Sequence, residues 1–354
     1  MNNNNFNPEI IKENLTKHIP NMMQKHHVPG LSLAMFKGEN ILFHLEFGVK
    51  NVNTQEKVDK DTIFEGASFT KPLIAYAALK LCQKGLLSLD VPLRTYLDKP
   101  YKSDPPLLEK VTLRQVLDHN SGFPFLVEFN EPLSLVCKPG TDYNYSSSAF
   151  DYLGFVMNHI LHNSLDEYLR EIILHPMQMH HSSFIWEPQF EVLSATPHNH
   201  RGEAVEKWKP NKVIAGCSIH TTSLDYAKFM MNIFKQAKHS TENDIDMLNT
   251  PVKAEDNIYT SLGWGIENTT KGDYIYHAGN SLTFKSLAIA HKESELGIVF
   301  MTNGFNGFNL FEKILDISLP DNHRALIDFE EFEGEDEKLK YYGEDYLVYW
   351  WKAN

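Results

Sequence analysis

β-Rich runs occupy both ends of the chain, and helical periodicity fills the middle. "LSLAMFKGENILFHLEFG" reads as a hairpin, two runs of strand-forming residues about Lys37-Gly38-Glu39-Asn40. Strand texture then vanishes for some 200 residues, roughly, before returning in "LGWGIEN", "DYIYHAG", "FKSLAIAHK" and "LGIVFMTN". Residues 8–26 read as an amphipathic helix, and so do "TSLDYAKFMMNIFKQA" and "GFNLFEKILDISL". Runs so far apart pair only if the chain folds back on itself. The pattern therefore predicts an α+β protein with one sheet built from both chain ends and a helical insertion between them. On that division residues 1–85 and 255–319 form the sheet part, 86–254 the mainly helical part, and 320–354 a C-terminal extension.

Bulk properties remove several functional classes. A chain of 354 residues with 42% hydrophobic and 22% charged residues buries a sizeable core. A net charge of −13 argues against nucleic acid as a partner. No apolar run is long enough to span a bilayer. The opening "MNNNNFNPEIIKENLTKHIP" has no basic n-region or apolar core of a secretory signal, so the expectation is cytoplasmic. The three cysteines, Cys82, Cys137 and Cys217, are widely spaced, suit a reducing compartment and give no zinc pattern. No metal or organic cofactor is expected.

Three short stretches carry chemistry. In "GASFTKP" a serine stands at the mouth of an apolar helix with a lysine three residues on, Ser68 and Lys71. Positions i and i+3 share a helix face, so the ammonium can reach the hydroxyl. The helix N-terminus favours a developing alkoxide, and a desolvated lysine can serve as a base. The plainer reading is a capping serine and a surface lysine, and the pair alone does not decide between them. In "PGTDYNYSSSAFDYLG", Tyr145 precedes a helix start, where a tyrosine near a cation can shuttle protons; alone it reads as an aromatic anchor. In "YIYHAGNSLTFKSLAIAHK" a strand delivers His277, then Ala278-Gly279-Asn280. A small-residue strand end lets a substrate lie alongside and exposes an N–H donor, although a lone histidine there is more often core.

In this order and spacing the three resemble the active-site set of the serine β-lactamase and penicillin-binding-protein superfamily. The nearer likeness is to its class C β-lactamase, D-alanyl-D-alanine carboxypeptidase and family VIII esterase branch. The likeness spans roughly residues 8–318 and includes "DTIFEGASFTKPLIAYAALKLCQKGLLSLDVPLRTYL", "VTLRQVLDHNSGFP" and "IAGCSIHTTSLDYAKFM". It implies a β-lactamase/transpeptidase-like fold with an antiparallel sheet flanked by helices. It implies Ser68 as nucleophile, Lys71 and Tyr145 sharing the base work, and the backbone N–H groups of Ser68 and Asn280 as oxyanion hole. Gly279, His277 and Ser147 would line the substrate site. Two departures stand out. Ser147 replaces the usual Asn, and His277 replaces the lysine of true β-lactamases, so a fixed cation for a substrate carboxylate is lost. The expectation is a serine hydrolase acting through an acyl-enzyme on a small ester or peptide amide, with weak or no β-lactam hydrolysis. An acyltransferase using the same residues and a non-catalytic binding relative are the alternatives.

Other residues read more blandly. His119 matches a structural turn of the family. His198 and His200, in "TPHNHRG", look metal-like but have no acidic or Cys partner in place, and read as a flexible loop or pocket rim. His159 and His162 read as surface residues. The extension carries ten acidic and four basic residues from Asp321 onward, then Tyr341, Tyr342, Tyr346, Tyr349, Trp350 and Trp351. Such rings are expected to dock on the body or to support a homo-oligomer.

Overall fold

The structure, a computed structural model, describes residues 6–102, 105–127, 131–161, 164–239, 246–248 and 250–329. Helix α1 (Pro8–Lys25) precedes the hairpin of β1 (Gly30–Lys37) and β2 (Asn40–Gly48), and β3 (Phe64–Ala67) leads into α2 (Thr70–Gln83). The helical middle holds α3 (Leu113–Leu117), α4 (Ser147–Ile160), α5 (Leu165–Leu169) and α6 (Phe190–Leu193), then β4 (Ile219–Thr221) and α7 (Ser223–His239). The late strands are β5 (Val252–Glu255), β6 (Ile258–Ser261), β7 (Trp264–Thr269), β8 (Gly272–Asn280), β9 (Lys285–His291) and β10 (Leu296–Thr302). Helices α8 (Phe311–Ser318) and α9 (Arg324–Phe329) follow. The aromatic run from Tyr341 to Trp351 lies outside the described residues.

The expected closure from both ends is present. One antiparallel sheet runs β2-β1-β10-β9-β8-β7-β6-β5, with β1 paired to β10 in the register Leu33↔Phe300. Alternation along each strand feeds two cores. Leu287, Ile289, Ile298 and Phe300 face α1 and α8, while Ala288, Ala290, Val299 and Met301 face the helical middle. Strands β9 and β10 are buried along their whole length, which is why they read as continuous apolar runs. The edge strand β5, "VKAE", alternates half-buried and exposed residues, and its polar sequence hid it from a hydrophobic-pattern reading.

Local signals set the helix ends. The Asn7 side chain caps α1 by accepting from Glu9 N at 3.0 Å, with Pro8 in the first turn. Gly85, at φ 71°, ends α2 as its sequence predicts, and Leu86 N closes back onto Leu81 O at 2.9 Å. No helix among the described residues is long and apolar enough to cross a membrane.

Candidate active site

Ser68 does not cap α2. The helix begins at Thr70 with no side-chain cap, and the Ser68 hydroxyl accepts from Lys71 Nζ at 2.9 Å. The turn that presents Ser68 is a tight one. Ala67, just before it, sits at φ 46°, in the left-handed region that a residue with a Cβ adopts only at a cost. The strain is held by a buried clamp: Thr70 Oγ1 donates to Ala67 O at 2.7 Å and accepts from Ile219 N on β4 at 2.9 Å. Ser68 is left half-buried and reachable, while Lys71 is fully buried.

Lys71 spends its donors on three oxygens: Ser68 Oγ, Ser147 Oγ at 3.0 Å and Gly216 O at 2.9 Å. That set orients the ammonium at the serine, with the Tyr145 ring 4.8 Å from Nζ to centroid. The serine run of "YNYSSSAF" divides its labour. Ser146 is the N-cap of α4, accepting from Ala149 N at 2.9 Å and donating to Pro124 O at 2.6 Å. Ser147, the first helical residue, thereby meets Lys71. Ser148 accepts from Val127 N at 2.7 Å and ties down the 121–127 loop.

Tyr145 is braced by His119, whose ring stacks on it at 4.3 Å. His119 Nδ1 accepts from Ser146 N at 3.2 Å. Burial, then the charge of Lys71, holds the His119 imidazole well below its ordinary range, so it is neutral. The structural role read for His119 thus lies directly beneath a candidate proton shuttle.

His277 lies on β8, its ring 6.5 Å from that of Tyr145, and its Nδ1–H donates to Ala278 O at 2.8 Å. Burial foremost, then the charge of Lys71, lowers its pKa to about 3. The site therefore holds a neutral imidazole where a lysine would place a charge. Gly279 is required by close approach: a Cβ there would stand 2.4 Å from Gly66 O and 2.2 Å from Ser286 Oγ. This contact brings the end of β8 against the strand that delivers Ser68. Asn280 follows, its Oδ1 accepting from Lys285 Nζ at 2.7 Å and from Leu282 N at 2.8 Å.

The structure thus brings Ser68, Lys71 and Ser147 into direct contact, places Tyr145 and His277 beside Lys71, and sets Gly279 and Asn280 at the adjoining strand end. Two neighbours escaped the sequence reading. Asp151 stands one helical turn after Ser147 and accepts from Gly216 N at 3.0 Å, so the Gly216 peptide links a carboxylate to Lys71. Burial raises the Asp151 pKa. The i, i+4 spacing from Ser147 was its only sequence signal. Lys285 is fully buried between the rings of Phe305 and Phe308, each 4.9 Å away, and no motif marked it.

Some readings need correction. His198 is no flexible loop: it is fully buried, donates from Nδ1 to Asn303 O at 2.9 Å and accepts from Val52 N at 3.3 Å. It pins two loops together because each offers one backbone group that needs a partner. Among the described residues no cluster of His, Cys, Asp and Glu is arranged for a metal. His159 is exposed, as expected, and His162 lies outside the described residues.

Comparison with known proteins bears on the fold that carries this site. Protein flp of Staphylococcus aureus (strain N315) is 24% identical over 316 residues, covering 82% of this chain and 63% of the relative, so the chain spans less than two thirds of that protein's length. Penicillin-binding protein 4 of Amycolatopsis lactamdurans is 28% identical over 189 residues, 49% of each chain. A class C β-lactamase structure superposes with a TM-score of 0.77 at 19% identity, covering 90% of this chain and 98% of the other. An octameric penicillin-binding protein homologue from Pyrococcus abyssi does so at 0.75 and 22%, covering 89% and 81%. These likenesses establish the fold. Residues 15–317 match the Beta-lactamase family, and the chain belongs to that family, whose members are generally serine hydrolases.

Proposed function

We propose that the protein is a serine hydrolase working through an acyl-enzyme on a small ester or amide, with an uncharged ester as first substrate class and a D-residue peptide amide as second. The observation that carries this is the three-oxygen setting of Lys71, with Ser68 Oγ 2.9 Å from Nζ. Ser68 Oγ attacks the substrate carbonyl as its proton passes to the Lys71–Tyr145 pair. The tetrahedral oxygen is held by the N–H groups of Ser68 and Asn280. Collapse expels the alcohol or amine, which takes up the proton, and leaves the acyl group on Ser68. Water then attacks the acyl carbon, giving its proton to the same pair; collapse breaks the bond to Ser68 Oγ, which takes that proton back, and frees the acid. No step calls for a redox partner.

The neutral His277 and the hydroxyl of Ser147 support substrates without an obligatory carboxylate. A β-lactam presents both a carboxylate and a bulky fused ring, and is disfavoured.

The test is labelling with a fluorophosphonate and turnover of p-nitrophenyl acetate by wild type and Ser68→Ala. Labelling and turnover that vanish together in a folded Ser68→Ala protein support the reading. Turnover retained by that variant, or a wild type inert to both reagents, overturns it. Transfer of the acyl group to an added alcohol in preference to water would make the enzyme an acyltransferase on the same site.

A further inference from the structure

The family-matched region ends at residue 317, yet a residue beyond it reaches the site. Helix α9 lays Phe329 against Tyr143, ring centroids 5.7 Å apart, and Phe329 walls a cavity shared with Tyr145, Tyr276, His277 and Ala278. That cavity measures only about 30 Å³, room for about two water molecules.

We propose that Phe329 is a specificity-determining residue: its ring closes the pocket beside Tyr145 and His277, so that a substrate can place only a small group there. The proposal rests on the hydrolase reading above and names the shape of substrate it accepts.

The wall is anchored rather than laid on the surface. Glu267 on β7 is fully buried. Its Oε2 pairs with His323 Nδ1 at 2.6 Å, and its Oε1 accepts from Leu326 N at 2.9 Å. Asp321 accepts from Thr269 Oγ1 on the same strand at 2.7 Å. Leu326 and Ile327 are buried in the core beneath the sheet. One strand thus holds both ends of the turn that carries α9, and this fixes where Phe329 points. The same strand shapes the pocket floor. Gly265 faces the Tyr276 ring so closely that a Cβ would stand 2.5 Å from it.

A helix that merely covered the sheet would protect stability without sorting substrates by size. The experiment separates the two with the full-length protein. The kcat/KM values are measured for p-nitrophenyl acetate, p-nitrophenyl benzoate (bulk on the acyl side) and 1-naphthyl acetate (bulk on the alcohol side). Wild type, Phe329→Ala and Phe329→Trp are compared. Phe329→Ala should raise the bulky-to-small ratio about tenfold or more for at least one bulky ester, and Phe329→Trp should lower it. Both ratios staying within about twofold of wild type in both variants, with acetate still hydrolysed, overturns the assignment and leaves the hydrolase reading intact. A wild type that hydrolyses no ester and is not labelled at Ser68 overturns the hydrolase reading itself.

Discussion

Lys71 cannot be moved without cost because its three acceptors come from three places in the chain: the turn before α2, the start of α4 and the segment before β4. Lys71→Ala and Tyr145→Phe should each slow acylation by about 10²–10⁴-fold, read as burst kinetics with p-nitrophenyl acetate. If the two share one proton route, the double variant should be scarcely slower than the poorer single one; cleanly multiplied losses would show separate routes. A second buried group tests the ground beneath Ser68. Glu65, on β3, has its carboxyl pKa raised by burial to about 8. A carboxyl raised in the folded state binds its proton more tightly there than when unfolded. Its contribution is therefore greatest below the ordinary value of 4.5 and is lost as pH rises from there towards 8. Glu65→Gln should flatten that loss, leaving stability near pH 4 little changed and raising the midpoint of denaturation at pH 9. An unchanged difference between the two pH values would show that Glu65 ionises freely.

Helix α9 is too short to persist by its own hydrogen bonds, so its place depends on His323 and Glu267. Burial works against the charged His323 ring, but the hydrogen bond and charge of Glu267 outweigh it and raise its pKa above the ordinary 6.5. The groups facing this pair are Asp321 from its own segment, Leu319 O, which accepts from His323 Nε2 at 2.9 Å, and the Tyr274 ring from the sheet. Because the folded value is raised, the pairing is fully present below about pH 6.5 and is lost as pH climbs through the raised value. Amide exchange in residues 323–329 should therefore quicken with pH beyond the intrinsic chemical increase, and His323→Gln should remove that extra dependence. Exchange that follows intrinsic chemistry alone in wild type would show that the latch does not titrate.

Across the whole molecule the sheet carries both the stability and the site. Phe300 is fully buried on a strand covered on both faces, and Phe300→Ala should cost about 3–5 kcal/mol in chemical denaturation. Val192, 68% exposed, should change by no more than about 0.5 kcal/mol on truncation to Ala. The same frame sets the chemistry: β8 ends beside β3 only because Gly279 lets Gly66 O approach. β-Lactam turnover should be poor as a result of Ser147, the neutral His277 and the closed pocket acting together. A cephalosporin kcat/KM near ~10⁶ M⁻¹s⁻¹ would contradict all three.

The sequence by itself determined the two-ended sheet, because the β-rich runs of the first hairpin and the continuous apolar runs in β9 and β10 have one stable solution, burial against each other. It also supplied the serine–lysine spacing, since i and i+3 meet on any helix turn, and the helix start just after Tyr145. Only the tertiary structure decided which oxygens Lys71 faces, because Gly216 and Asp151 gain their meaning from a packing contact between segments far apart in sequence. The same holds for His198, which read as a flexible loop or pocket rim and proved a backbone pin, and for β5, whose polar residues suit an edge. Phe329 is the sharpest case. Nothing local marks a phenylalanine after "RALID" as a pocket wall. Its role comes from Glu267, more than 50 residues earlier, whose buried carboxylate demands a partner and finds it in His323.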